Sequence, residues 1–417
     1  MKTRNVVFSI LICFFLCGPA ALWTATKLDL DIPTGLTAEP AKYLSGGIQE
    51  ADIKANLNFD AFLNEQLQNS LEIEIGNYVP AKATALLANS SLQRQGIATS
   101  NVLFNWCCYP TYYGSYYLYL PDNNAIIQAP NQEAKSNYLS YANEFAQGLN
   151  TIANKYQNIT FVVCLADWSY YSALNPALPL ISHAGITTNE FSETLNSSIN
   201  ASNIVVAKQP AFNCISEYFD NYYSTDHHWS GYGAVNAYNT MKPFAQLKND
   251  VLKADSNPYV DGLTMNGSTA RAGLMLANEK THEPFFNTAH LTTLPDTKAL
   301  LINKDPRDAL KESPESSEFD FYNIWYGASK NTEIINENVA DRYSLIIGDS
   351  YADSMQWLIA QNYQHTSTYF DAHGSYSGDE TLEDRILNSD CETVYFVMAV
   401  SGLQNIHNYF PNYFSVR

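Results

Sequence analysis

The chain has 417 residues, 46% of them hydrophobic and 13% aromatic, which is enough apolar material for a sizeable core and excludes global disorder. Its formal net charge of −19 excludes a nucleic-acid partner, since phosphates call for a basic footprint. The same charge disfavours an acidic polymer as substrate unless the cleft is locally basic.

Lys2 and Arg4 precede a stretch, 6–23, without a charged residue. A short basic flank before such a stretch predicts a signal peptide or signal anchor over 1–26. The basic flank would stay cytoplasmic, so the rest is expected outside: extracytoplasmic, either secreted or held to the membrane through an uncleaved N-terminal segment. Residues 27–55 are loop-like and expected as a tether, with one α/β domain over 56–417. Apolar spacing at Leu57, Phe59, Phe62, Leu63, Leu67 and Leu71 predicts a helix within 56–77. The aromatic segment 106–120 (Trp106, Tyr109, Tyr112, Tyr113, Tyr116, Tyr117, Tyr119) reads either as a sugar-stacking platform or, favoured by its strand-forming composition, as cross-strand packing in a hairpin.

A predicted helix (136–156), a buried strand (159–165), a strand (203–208) and two helical stretches (213–222 and 233–241) follow. The stretch 248–339 is polar and expected as a loop-rich insertion. Beyond it come an apolar run ending at Ile347, a helix after Ser350, a strand (367–370), a helix (381–387) and a last strand (393–400). Strands alternating with helices predict a mainly parallel sheet, with functional residues at the carboxyl ends of its strands. Five cysteines lie beyond the leader: Cys107, Cys108, Cys164, Cys214 and Cys391. None shows Cys-x-x-Cys spacing, so a zinc ribbon or redox motif is not supported. Cys164 reads as core; the others leave room for one or two disulfides outside the cytoplasm.

Two strings carry the chemistry: Thr225-Asp226-His227-His228-Trp229 and Gly348-Asp349-Ser350-Tyr351. A serine on a tight turn from buried strand to helix exposes its hydroxyl with helix amides behind it. Hydroxyl oxygen needs a base, and the base an orienting carboxylate. His228 and Asp226 supply both, two residues apart and on one side of an extended loop. Trp229 is expected to pack beneath that loop. Plainer readings are helix caps, with Ser230 and Ser350 at N-cap positions. A metal site from Asp226, His227 and His228 with His183 or His373 is set aside, because adjacent histidines point apart and the spacing is not that of zinc ligands.

Taken together, the Asp-x-His-Trp and Gly-Asp-Ser-Tyr strings resemble the DHHW group of alginate O-acetyltransferase-like proteins of the SGNH-hydrolase type. The resemblance runs from about Leu57 to Leu403 and includes Tyr326-Gly327. It implies a flavodoxin-like three-layer α/β/α domain with the Asp/His motif ahead of the serine, a permuted order. It further implies Ser350 as nucleophile, His228 as base and Asp226 as orienting acid, without a cofactor. The implied substrate is an exported or cell-envelope polysaccharide, with a membrane-bound O-acyltransferase as acyl donor. Two departures stand out. Where relatives carry Asp-x-Arg-Tyr, this chain has Asp371-Ala372-His373-Gly374, and where they carry an asparagine it has Met398-Ala399-Val400. Tyr351, His373 and Ser401, with the Ser350 and Tyr351 amides, stand as substitutes for holding the acyl oxygen or glycan. These departures also admit a catalytically inactive glycan-binding or assembly protein on the same scaffold.

Overall fold

The computed structural model describes the chain except residues 1, 34–35, 105–111, 114–115, 181–184, 209–211, 248–250, 253–258, 295–298, 300–313, 328–329, 376 and 417. Trp106, Cys107, Cys108, Tyr109 and His183 therefore lie outside the described residues. The chain parts into two compact units: 1–114 with 270–276, and 115–269 with 277–417.

Among the described residues the first unit includes the helices α1 (Lys2–Lys27), α2 (Phe59–Leu63), α3 (Gln66–Asn77) and α4 (Lys82–Phe104). Among the described residues no helix is long and apolar enough to cross a membrane. Residues 27–55, expected as a tether, are pinned within this unit. Ala38, Ala41 and Leu44 are buried, Asn77 exchanges two hydrogen bonds with Gln49, and Lys82 Nζ donates to the Gly47 carbonyl. The apolar spacing at 57–71 does form helices, yet it is not a core stripe: Leu57 and Phe59 are both 73% exposed. The expected boundary at 56 thus gives way to one after Gly114, because α2–α4 are parted from the sheet-bearing unit.

The second unit is built on a seven-stranded sheet. Its strands are β3 (Thr160–Ala166), β4 (Ile204–Val206), β7 (Leu291–Leu294), β8 (Thr332–Asn336), β9 (Tyr343–Gly348), β10 (His365–Tyr369) and β11 (Thr393–Ala399). In space they run β4-β3-β11-β9-β10-β8-β7. The first five are mutually parallel, and β8 and β7 add antiparallel at one edge. Two hairpins flank the sheet in sequence, β1 (Tyr117–Leu120) with β2 (Ala125–Gln128), and β5 (Tyr259–Met265) with β6 (Glu279–Pro284).

Alternating residues of the central strands feed two separate apolar clusters, as expected for strands buried on both faces. Val162, Cys164, Ile346, Tyr395 and Val397 pack with α8 (Gly231–Ala245), α9 (Pro314–Tyr326) and α10 (Ala352–Ile359). Phe161, Val163, Leu345, Ile347 and Phe396 pack with α5 (Lys135–Lys155), α6 (Thr188–Ser198), α11 (Leu382–Ser389) and α12 (Val400–Tyr409). A short helix, α7 (Ile215–Phe219), leads into the Asp/His loop.

The predicted elements recur to within a few residues, and α12 is added after the last strand. The stretch 248–339 is corrected: it supplies β5, β6, β7, β8 and α9. Its pattern is weak because its inward positions include polar residues, Glu279, Thr281 and Glu283. Within 106–120 the hairpin packing is what the described part displays, with Leu118, Ile127 and Ala177 forming a small core and Tyr119 buried; Tyr116 stays exposed. Among the described cysteines none is bridged, and Cys164 lies in the core.

Candidate active site

The Ser350 turn follows from regular structure. β9 carries Leu345, Ile346 and Ile347, fully buried between two parallel neighbours, and delivers the chain to the carboxyl edge of the sheet. At Gly348 a Cβ would stand 2.4 Å from the Ala352 Cβ and 2.7 Å from the Val397 carbonyl, so strand and helix close up only over glycine. Asp349 stitches the turn shut: it accepts from the Tyr351 amide at 3.0 Å and the Ala399 amide at 2.9 Å. Burial pushes Asp349 up to about 7 against the pull of those two bonds.

The Asp226–Trp229 loop is irregular. A bridge between Tyr222 and Trp229 and the bond from the Tyr223 amide to the His228 carbonyl fold it back on itself. Ser230 then caps α8 by accepting from the Gly233 amide. Trp229 lies beneath as expected, buried, with its Nε1 donating to Ser354 Oγ at 2.7 Å in the first turns of α10.

These two segments, 122 residues apart, meet at hydrogen-bond distance. His228 Nε2 lies 2.6 Å from Ser350 Oγ, and His228 Nδ1 lies 2.7 Å from Asp226 Oδ1. A carboxylate only accepts, so the proton sits on Nδ1 and Nε2 accepts from the serine hydroxyl. Asp226 also takes the His228 amide at 3.1 Å and the Ser268 amide at 2.6 Å. Burial alone would raise its pKa, but the His228 charge and hydrogen bond, then His227 and Ser268, hold it well below the usual carboxylate range. The ligand atoms of Asp226, His227 and His228 lie within 4.8 Å of one another. The two adjacent histidines do not point apart as expected: their ring centroids are 3.8 Å from one another, and both His228 nitrogens are engaged, by Asp226 and by Ser350.

Several groups that the motifs do not contain complete the site. The Tyr322 ring stacks on His228 at 3.9 Å and 3°, and its hydroxyl donates to the Ser350 carbonyl at 2.8 Å. Loop 266–268 reaches Asp226 because residue 267 is glycine: a Cβ there would lie 2.4 Å from the Asp226 Cβ. Trp168, at the carboxyl end of β3, sits 5.2 Å from the His227 ring and 5.3 Å from Tyr170. No sequence pattern marks Gly267, Ser268 or Trp168; Tyr322 lies one turn before the noted Tyr326.

The substitute groups divide. Tyr351 is corrected as an oxyanion donor, since its amide is taken by Asp349 and its hydroxyl by the His227 carbonyl at 2.6 Å. Ser401, in the first turn of α12, is hydrogen-bonded to the Tyr171 hydroxyl. His373 does belong near the site. Its loop is tied to the end of β9 by the bond from the Ala372 amide to the Gly348 carbonyl, and burial first, then the His228 charge, lower its pKa. The Ser350 amide donates to no protein group among the described residues. Asp371 keeps a guanidinium partner despite the missing motif arginine: Arg385 from α11 binds it through two nitrogens at 3.0 and 3.2 Å.

The fold recurs in solved structures. The chain is similar to a DHHW family protein from Eubacterium siraeum DSM 15702, with a TM-score of 0.51 at 15% identity over 72% of this chain and 97% of that one. Bacillus cereus PatB1 matches at 0.48 with 20% identity over 69% and 97%. The O-acetyltransferase domain of Pseudomonas putida AlgJ matches at 0.35 with 11% identity over 67% and 90%. No family model and no curated protein matches the chain. The DHHW group that the two motifs resemble is thus also the group named among its structural neighbours.

Proposed function

We propose that the chain is a serine O-acetyltransferase or acetylesterase acting outside the cytoplasm on an exported or cell-envelope polysaccharide, on an SGNH-hydrolase-type three-layer domain of permuted motif order. The observation that carries this reading is the continuous chain Ser350 Oγ–His228–Asp226 at 2.6 and 2.7 Å. Ser350 Oγ attacks the acetyl carbonyl while His228 Nε2 takes the hydroxyl proton. The tetrahedral adduct collapses, the departing alkoxide takes that proton, and acetyl-Ser350 remains. A sugar hydroxyl or water, deprotonated by His228, then attacks the acyl-enzyme and restores the serine. Asp226, held ionised, steadies the imidazolium at both stages.

The Ser350 amide and His373 supply the donors for the oxyanion. Trp168 and Tyr170 offer an aromatic wall beside His227 on which a sugar ring can stack. Lys2, Arg4 and the uncharged stretch 6–23 support the extracytoplasmic location. Transfer over hydrolysis, and a membrane-bound O-acyltransferase as donor, rest on the motif resemblance.

The test is turnover of p-nitrophenyl acetate and of an acetylated glycan by the full chain and Ser350→Ala, with labelling by a serine-directed phosphonate. Loss of about a thousandfold or more is expected for Ser350→Ala, with no adduct. Equal rates would sink the nucleophile assignment and leave a glycan-binding protein as the reading.

A further inference from the structure

We propose that Glu279 and Glu283 are positioning residues that clamp the two ends of the Asp226–Trp229 loop and so hold His228 in register with Ser350. This rests on the triad reading above and extends it to the β5–β6 hairpin, which carries no group of the triad.

The clamp is built from alternation. On β6, residues 279, 281 and 283 point inward while Lys280 and His282 are exposed, so both glutamates share one face. Four residues of strand span about 13 Å. At one end of that span Glu279 accepts the Ser224 amide at 2.8 Å, the Thr225 amide at 3.0 Å and the Thr225 hydroxyl at 2.6 Å. At the other end Glu283 accepts the Gly231 amide at 2.9 Å and the Tyr326 hydroxyl at 2.8 Å. The catalytic loop runs between those anchor points. Thr225 passes the constraint on, because its hydroxyl accepts the Gly267 amide at 3.0 Å, and the next amide, Ser268, binds Asp226. A single strand therefore fixes both the loop and the backbone that orients the acid.

Every partner of Glu279 is a donor. A carboxylate satisfies all three, whereas an amide of the same shape must aim an N–H at one of them. Keeping two acids so enclosed has an opposing term: burial pushes each up to about 7. Against that burial, Glu283 is held by the Tyr326 hydroxyl first, then by the Gly231 amide and the Tyr223 hydroxyl.

The experiment uses the full chain with p-nitrophenyl acetate as probe, comparing wild type, Glu279→Gln and Glu283→Leu well below their melting temperatures. The downfield proton resonance of the His228–Asp226 bond is recorded alongside. Outer residues that orient a catalytic group typically carry tenfold to hundredfold effects. The expected result is a fall in kcat of about tenfold or more with KM within about twofold, and a shifted or lost downfield resonance in the folded variants. Wild-type kcat together with an unmoved resonance would overturn the proposal, whatever the loss of thermal stability. Should Glu279→Gln not fold, Thr225→Val removes one donor and the Gly267 acceptor without removing a charge, and is judged by the same two readings. If the wild type shows no Ser350-dependent turnover, the proposed function fails separately, and the resonance alone decides the clamp.

Discussion

The two halves of the site are built by different means. The Ser350 turn is a product of regular structure: a buried strand, a glycine, an acid that closes the turn and a helix, all within 343–359. The Asp226–Trp229 loop has a single isolated bridge, Tyr222 to Trp229, in place of regular structure, and is otherwise held by groups 40 or more residues away, at Gly267, Ser268, Glu279 and Glu283. The serine on its strand-turn-helix is placed by sheet and helix backbone with one local acid, whereas the histidine on its loop is placed by buried side chains from a distant hairpin. Damage to the first should register as lost stability, and damage to the second as lost chemistry on an intact fold.

One methyl group added to each half tells the two apart. In Gly267→Ala the new Cβ meets Asp226 Cβ at 2.4 Å and Oδ2 at 2.6 Å. The acid must shift by a sizeable fraction of an ångström. The Thr225 carbonyl also stands 2.8 Å from that Cβ, so some stability is lost as well; misplacement of the acid costs about a hundredfold, and kcat should fall to that degree, out of proportion to the drop in the unfolding midpoint. In Gly348→Ala the Cβ meets the Ala352 Cβ and the Val397 carbonyl, neither of which can swing away. Overpacking of this kind costs about 1–3 kcal/mol, and the drop should appear in thermal unfolding. Calorimetry and ester kinetics on both variants decide it. Equal stability losses with equal kcat losses would mean that the two halves are one rigid object.

The same division explains what the sequence made legible. Ser350 could be read because β9 and α10 announce themselves by apolar runs on either side of Gly-Asp-Ser, and the motif pair fixed Asp226 and His228 beside it. The parallel sheet followed from alternating strands and helices. What stayed hidden was the support of the loop. Glu279 and Glu283 are acids at inward strand positions, so they erased the alternation that would have revealed β6, and 248–339 looked like polar loop. Tyr351 misled for the complementary reason: next to a nucleophile an amide invites an oxyanion role, and nothing in the sequence says that Asp349 already occupies it.

A second test acts through pH and separates Asp226 from the other buried acids by sign. Burial raises Asp349 in the turn, and Glu279 and Glu283 behind the loop, each to about 7. A carboxyl raised on folding binds its proton more tightly in the native state. Its contribution to stability is full below the ordinary carboxyl range near 4 and is lost as pH rises through 7. Asp226 has the opposite sign: held low, it contributes above the ordinary range, and that contribution is lost only as pH falls through its depressed value. The unfolding midpoint should therefore decline between pH 5 and pH 8, and the decline should be shallower in Glu283→Gln. A flat midpoint across that window would show that these acids ionise at their ordinary values, and with it that water reaches them.

The smallest expected effect concerns the contacts that join turn to loop. Apart from the Ser350–His228 bond, the turn and its helix reach the loop through the Tyr351 hydroxyl on the His227 carbonyl at 2.6 Å and through Trp229 Nε1 on Ser354. Tyr351 is buried, with its ring edge-on to Trp229 at 5.2 Å, so Tyr351→Phe keeps the packing and deletes one donor. A single buried hydrogen bond of this kind is worth about 1–3 kcal/mol when its acceptor is left unpaired. If the hairpin places the loop, that loss appears as a modest fall in the unfolding midpoint and at most a few-fold fall in kcat. A hundredfold fall in kcat from this one hydroxyl would reverse the order of causes, because the turn would then be placing the loop through Tyr351 and the carboxylates behind it would only be filling space.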